Sequence, residues 1–318
     1  MLHKKAAVQT VEVKKPLRVR LKNELVQNKY IYILAIPVIL YYLIFCYGPM
    51  CGIVIAFKQY TPSSGLFGGE WVGLRYFKEF FSSMYCYRLI RNTLLISFYG
   101  VLIAFPAPIV FALLLNEVQG SKFKKTIQTV TYLPHFISLV VICGMIMDFF
   151  STNGIVTKVI HALGGPQVNY LGDAKYFRTI YIATDIWQGV GWGSIIYLAA
   201  LAGIDQELYE AAVIDGAGRW KQMLHVTLPG LAPTIIIMLI MRIGQVMSVG
   251  YEKIILLYNP STYETADVIS SFVYRRGLGN SFEYSYTTAV GLFQSVVNLV
   301  LLVGANAVSR KFTDTSLY

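Results

Sequence analysis

The sequence predicts an all-α polytopic membrane protein with six transmembrane helices and both termini inside (N-in/C-in). Three observations predict it. Hydrophobic residues make up 55% of the 318-residue chain and charged residues only 14%, where soluble domains carry about a quarter charged residues. Mean hydropathy is +0.54, and the apolar residues fall in blocks long enough for about 30 Å of hydrocarbon at 1.5 Å per residue. The basic residues behind the net charge of +10 flank those blocks. Membrane placement explains them better than nucleic-acid binding does.

The first 29 residues are polar and basic, with Lys4, Lys5, Lys14, Lys15, Arg18, Arg20, Lys22 and Lys29. The apolar block that follows, 30–57, is too long for a signal peptide and lacks a small-residue cleavage site. It reads as an uncleaved first span, kinked at Gly48-Pro49. Five further spans are predicted at 92–115, 127–150, 179–201, 231–254 and 284–308. Lys122, Lys124, Lys125, Arg219, Lys221, Arg310 and Lys311 then join the basic tail on the cytoplasmic side, and together they outnumber the basic residues of the outer loops. This bias sets the orientation. It makes 1–29 a cytoplasmic tail, 30–308 the transmembrane domain with a cytoplasmic loop at 203–230, and 309–318 a cytoplasmic C-terminal tail. The outer loops, 58–91, 151–178 and 255–283, are rich in Gly, Tyr and Phe. Trp71, Tyr76, Phe77, Phe80 and Phe81 read as interfacial aromatics on a short surface helix.

Catalytic motifs are missing from the sequence. No G-x-x-x-x-G-K-[ST] phosphate loop, H-E-x-x-H or C-x-x-C occurs. His3, His135, His161 and His225 are scattered, and Cys46, Cys51, Cys86 and Cys143 form no metal or disulfide framework. Gly172-Asp173 lies in an outer loop with no aspartate partner at membrane depth, which excludes an intramembrane aspartyl protease.

Polar side chains inside spans are costly and mark candidate sites. The fourth span carries Trp187, Gln188, Gly189, Gly191, Trp192 and Gly193. Aromatic faces, an amide and close backbone approach suit sugar rings. The same residues equally suit helix packing and an interfacial Trp belt. The fifth span carries Arg242, Gln245 and Ser248, with Gly250 beyond; Gln245 and Ser248 would share a helix face. Arg242 is either half of an ion pair in the bundle or a snorkelling residue. Gln294, Ser295 and Asn298 in the sixth span, and Asn92, Thr93 and Ser97 in the second, read first as interhelical hydrogen-bond formers. Polar faces on several spans suggest a shared path, half of it lined by this chain and half by a related subunit.

The loop between the fourth and fifth spans, Asp205 to Pro229, is long for its setting. Asp205 is a good N-cap, Glu207 and Glu210 favour a helix N-terminus, and Ala211 and Ala212 favour helix. Gly216 and Gly218 end that helix, and Pro229 opens the next span. Glu210-Ala211-Ala212, three residues, Gly216, nine residues, then Val226-Thr227-Leu228-Pro229 resembles the E-A-A-x3-G-x9-I-x-L-P signature of ABC-importer permeases. Val226 in place of Ile is the only departure. Residues 208–217 look like the carbohydrate branch. Asn28 to Pro37, Tyr47-Gly48-Pro49, Phe57 to Tyr60 and Trp71 to Phe77 are similar to LplB-like, MalF-related permeases.

The resemblance implies a type I importer permease with a MetI-like core in a bacterial cell membrane. It implies a second homologous permease, a separate ABC ATPase dimer that binds ATP and Mg, an extracytoplasmic solute-binding protein and an oligosaccharide substrate, in contact with membrane lipid and no nucleic acid. This chain would hold no cofactor or metal of its own. Glu210, Ala211, Ala212, Asp215 and Gly216 would couple to the ATPase. Gly189–Trp192 and Gln245–Gly250 match the stretches that contact sugar in the family; with Trp187 and Gln188 from the polar cluster of the fourth span, Trp187, Gln188, Gly189, Trp192, Gln245, Ser248 and Gly250 are the substrate-path candidates. A permease of the same architecture for another solute and an ion-driven secondary transporter are the alternatives. The missing inverted repeat and carboxylate relay weigh against the second.

Overall fold

The computed structural model describes residues 26–279, 282–313 and 315–317. The basic tail assigned to 1–29 lies outside the described residues except for its last four. The chain divides into two compact units between Val54 and Ile55. The first holds most of helix α1, Lys29–Phe57. A π turn, Tyr42–Tyr47, sits in α1 immediately before Gly48 and Pro49, where Pro49 supplies no backbone donor and the ladder must readjust.

The second unit is helical, and no strand occurs among the described residues. Its helices are α2 (Arg75–Ser82), α3 (Cys86–Glu117), α4 (Ser121–Tyr132), α5 (Leu139–Phe150), α6 (Ile155–Ala162), α7 (Ala174–Ala202), α8 (Gln206–Ile214), α9 (Arg219–Ile243), α10 (Tyr251–Leu257), α11 (Tyr263–Ala266), α12 (Ile269–Gly277) and α13 (Tyr284–Phe312). The apolar spans α1, α3, α5 with α6, α9 and α13 each suffice to cross a membrane. The 29-residue α7 is long enough for the sixth, although Lys175, Arg178 and Asp185 lower its hydropathy.

Helix α7 is the central pillar. Phe177, Ile180, Tyr181 and Ile182 pack with Ile142, Cys143, Ile146, Ile254 and Val268 in one buried cluster. Tyr197 and Leu201 pack with Ile109, Ala112 and Leu231 in another. The glycines of α7 divide the labour. A Cβ on Gly191 would collide with the Thr131 carbonyl, and one on Gly193 would meet Pro108 Cγ at 3.1 Å, whereas Gly189 faces open space. Gly191 and Gly193 thus bring α4 and α3 against α7, the close approach that small residues permit in membranes.

Two predicted spans are not continuous helices. The third is broken after α4 by a 3-10 turn, Leu133–Phe136. Pro134 disfavours a continuing ladder, and the Ser138 hydroxyl accepts from Val141 N and caps α5. The fifth ends at Ile243, and 244–250 is irregular before α10. Gln245 and Ser248 therefore share a turn, with Ser248 N donating to Gln245 O at 2.8 Å, and not a helix face. The second span carries a π turn, Gly100–Ala104, just before Pro106. A third π turn, Met223–Thr227, precedes Pro229. The aromatics on and before α2 also differ from expectation: Phe80 on α2 is buried with Phe272, Tyr286 and Val290, and Trp71, ahead of α2, stacks on Phe57 at 5.7 Å. This segment docks on the bundle through part of its aromatic face, while Trp71 and Phe81 stay exposed.

The glycine division makes a prediction. Gly191→Ala should cost about 1–3 kcal/mol by overpacking against fixed backbone, and Gly189→Ala should cost close to nothing. Thermal melting of the two variants in detergent checks it; equal melting temperatures would contradict the packing assignment.

Candidate functional site

Two places hold the residues singled out by the sequence. The first is the loop around α8. The Asp205 carboxylate accepts from Glu207 N at 3.0 Å and caps the helix. The axis of α8 turns 70° from α7 at the short break between them. At the other end, Ala217 N donates to Ala212 O at 2.9 Å and Gly216 N donates to Val213 O at 3.0 Å. Gly216 has φ +75°. These are the paired bonds of a Schellman cap, whose left-handed position glycine fills without strain. Glu210, Ala211, Asp215 and Gly216 are exposed and Ala212 is half-buried. Glu210 makes no ion pair among the described residues. Leu208, Val213 and Ile214 are also exposed. The loop is tied to the next span by Tyr209, whose hydroxyl lies 3.0 Å from Thr227 Oγ1. Nothing in the sequence pattern marks that tether beyond a tyrosine one residue before Glu210.

The second place is a pair of cavities between α3, α7 and α9. One, about 160 Å³, is lined by Ser97, Tyr181, Asp185, Arg242, Gln245, Ser248 and Gly250. The other, about 340 Å³, is lined by Pro108, Asp185, Gly189, Gly193, Tyr197, Arg242 and Gln245. Asp185, Arg242 and Gln245 border both. Small-molecule sites span about 300–1,000 Å³, and the larger of the two cavities falls at the low end of that range. The irregular stretch 244–250 is tolerated because other helices satisfy its backbone. Asn298 Oδ1 accepts from Met247 N at 2.9 Å, Asn298 Nδ2 donates to Ser248 Oγ at 2.8 Å, and the Ser97 hydroxyl donates to Val246 O.

The structure thus brings Gly189, Gln245, Ser248 and Gly250 together. Trp187, Gln188 and Trp192 do not line these cavities. Trp187 is exposed and Gln188 half-buried. Trp192 stacks on His135 with ring centroids 4.6 Å apart and planes 4° from parallel, at the break between α4 and α5. Asp185 faces Lys253 Nζ at 3.8 Å, a pairing that the sequence pattern does not mark.

Other polar residues build the frame. Asn92 is fully buried. It accepts from Arg178 Nη2 at 2.7 Å and donates to Glu264 O and Asp267 O, both at 2.9 Å. The buried Asp267 pairs with Arg275 at 2.7 Å and Arg88 at 3.4 Å and accepts from the Ser271 hydroxyl. Burial opposes the charge on Arg275, but the Asp267 carboxylate outweighs it and raises the guanidinium above its usual pKa. Arg276 pairs with Glu283 at 2.6 Å. These two arginines, exposed-loop cations in the sequence, are structural here.

The model of a family described as "Binding-protein-dependent transport system inner membrane component" matches residues 104–314. Protein LplB of Bacillus subtilis (strain 168) is 46% identical over 293 residues, 92% of this chain and 92% of its own. The polygalacturonan/rhamnogalacturonan transport system permease protein YteP of the same organism is 42% identical over 313 residues, 98% of this chain and 97% of its own. A crystal structure of a bacterial alginate ABC transporter, in complex with an alginate pentasaccharide-bound periplasmic protein, contains a chain that superposes with a TM-score of 0.86 at 42% identity. The match covers 94% of this chain and 100% of that one.

The cap on α8 is directly testable. A Cβ on Gly216 would meet nothing within 4 Å, so the cost of Gly216→Ala is the left-handed backbone alone, about 1–2 kcal/mol. Amide exchange over 206–217 should speed up about 5–30-fold, and less for Gly216→Asn. Unchanged exchange in Gly216→Ala would contradict the cap.

Proposed function

This chain belongs to the family of binding-protein-dependent transport system inner membrane components, and on that premise we propose that it is the permease subunit of an ATP-driven carbohydrate importer. It is a multi-pass protein of the cell membrane and a non-catalytic part of the transport complex. Polygalacturonan/rhamnogalacturonan transport is named for YteP, and the solved transporter is named for alginate. An oligosaccharide is the substrate class that the cavities support, because their walls combine amide, hydroxyl and apolar groups.

The observation that carries the reading is the position of α8. It is a short, exposed, well-capped helix between α7 and α9, and both neighbours line the cavities. A push on α8 is therefore a push on two walls of the path. Glu210 and the exposed apolar residues beside it offer a charged and an apolar contact to a soluble motor. With no phosphate loop in this chain, ATP and Mg belong to a partner ATPase that receives α8 through Glu210, Ala211, Ala212, Asp215 and Gly216. The basic flanks put this loop and both termini in the cytoplasm. The second homologous permease closes the open side of the cavities, and an extracytoplasmic binding protein delivers the saccharide to the far side.

In proteoliposomes holding the complete importer, saccharide uptake should require ATP. Glu210→Lys should cut uptake by about 100-fold or more, since it reverses the charge that the exposed α8 offers to the motor, while membrane insertion persists. ATP-independent uptake, or normal uptake by Glu210→Lys, would refute the coupling role.

A further inference from the structure

Arg242 is an exposed cation near the end of α9 that borders both cavities and has no acidic partner. None of its side-chain nitrogens lies within 4.0 Å of a carboxylate among the described residues, and no side-chain hydrogen bond to it is formed there. It does not reach for an interface. Arg242 sits about 21 Å along its span from Leu228, and its guanidinium turns onto Gly100, itself about 21 Å from the far-side start of α3, at 1.5 Å per residue. Arg242 Nη2 is 2.9 Å from the place a Cβ on Gly100 would occupy. The absence of a side chain at Gly100 is what lets the guanidinium lie there.

The charges lining this region do not balance. Arg242 and Asp185 border both cavities, but Asp185 already faces the buried Lys253 at 3.8 Å. One positive charge is left over, and it faces open cavity. Beside it the exposed Gln245 borders the same two cavities, and its side-chain amide has no partner among the described residues. Uncompensated ionisable groups at membrane depth mark pathways and ligand counter-ions. The planar fork of a guanidinium matches a carboxylate through two parallel hydrogen bonds.

We propose that Arg242 is the specificity-determining cation of the membrane path, binding a carboxylate of the saccharide in transit while Gln245 takes its neighbouring hydroxyls. The substrate class is then an acidic, uronate-bearing oligosaccharide. This rests on the saccharide-import reading above. It accounts for the leftover charge, because the passing carboxylate supplies the missing counter-ion and leaves with it. Polygalacturonan and alginate, the polymers named for two of the relatives, are built of uronates.

The test uses the complete importer in proteoliposomes with two probes, trigalacturonate and the galactotriose obtained by reducing its carboxyl groups. The readout is the ratio of their ATP-dependent uptake rates. The wild type should favour trigalacturonate by about tenfold or more, the loss expected when a charged hydrogen bond is removed. Arg242→Gln should bring that ratio down about tenfold, and Arg242→Lys, which keeps the charge without the fork, should retain part of it. A wild type that moves both probes equally, or an Arg242→Gln variant that slows both alike and keeps the ratio, would overturn the role of Arg242 and leave saccharide import standing. A wild type that moves neither probe would overturn the import reading itself, and this inference with it.

Discussion

A polar group taken out of water costs several kcal/mol unless it finds a partner, and that cost shapes this bundle. Asn92 alone joins α3, α7 and the segment around α11 by three hydrogen bonds. Asp267 gathers Arg88, Arg275 and Ser271. Asn298 supports a stretch of non-helical backbone in α9's path that hydrocarbon would otherwise exclude. With these groups satisfied, the exceptions carry meaning. Arg242 and Gln245 turn unsatisfied side chains toward open space, where a solute can satisfy them.

Under the proposed function the same bundle would serve as a transmission. α8 is fixed at its start by Asp205, at its end by the cap at Gly216, and along its side by Tyr209 on Thr227. A short stiff helix held at three points moves with its neighbours and does not absorb force by bending. Those neighbours, α7 and α9, hold Asp185, Gly189 and Arg242, and Gln245 follows directly after α9. The π turns before Pro106 and Pro229 are the places where α3 and α9 depart from a regular ladder. They border the cavity region at Gly100 and the loop at Thr227.

The long spans and the loop pattern were legible in the sequence because both are local. Hydropathy fixes a span within a few residues, and Asp205, Gly216 and Pro229 each act on the backbone next to them. The breaks at 133–138 and 244–250 were not legible. The apolar pattern runs through both, and only tertiary partners, His135 on Trp192 and Asn298 on Met247, stabilise the irregular backbone. The polar cluster of α7 was read as two equal alternatives, and the structure divides it residue by residue: Gly191 and Gly193 pack, Gly189 borders the cavity, and Trp192 stacks. The role of Asp267 is not legible because a charge in a loop looks solvated until the fold encloses it. Arg275 and Arg276 lie in a predicted outer loop, and each is held by an internal carboxylate.

The central claim is that one chain both lines the solute path and receives force through α8. A structure of the complete importer with trigalacturonate trapped in the membrane tests it most directly. The account predicts saccharide density against Arg242, Gln245 and Ser248, with α8 seated in a cleft of the ATPase. Density held wholly by other elements, or α8 left facing solvent in the assembled complex, would contradict it.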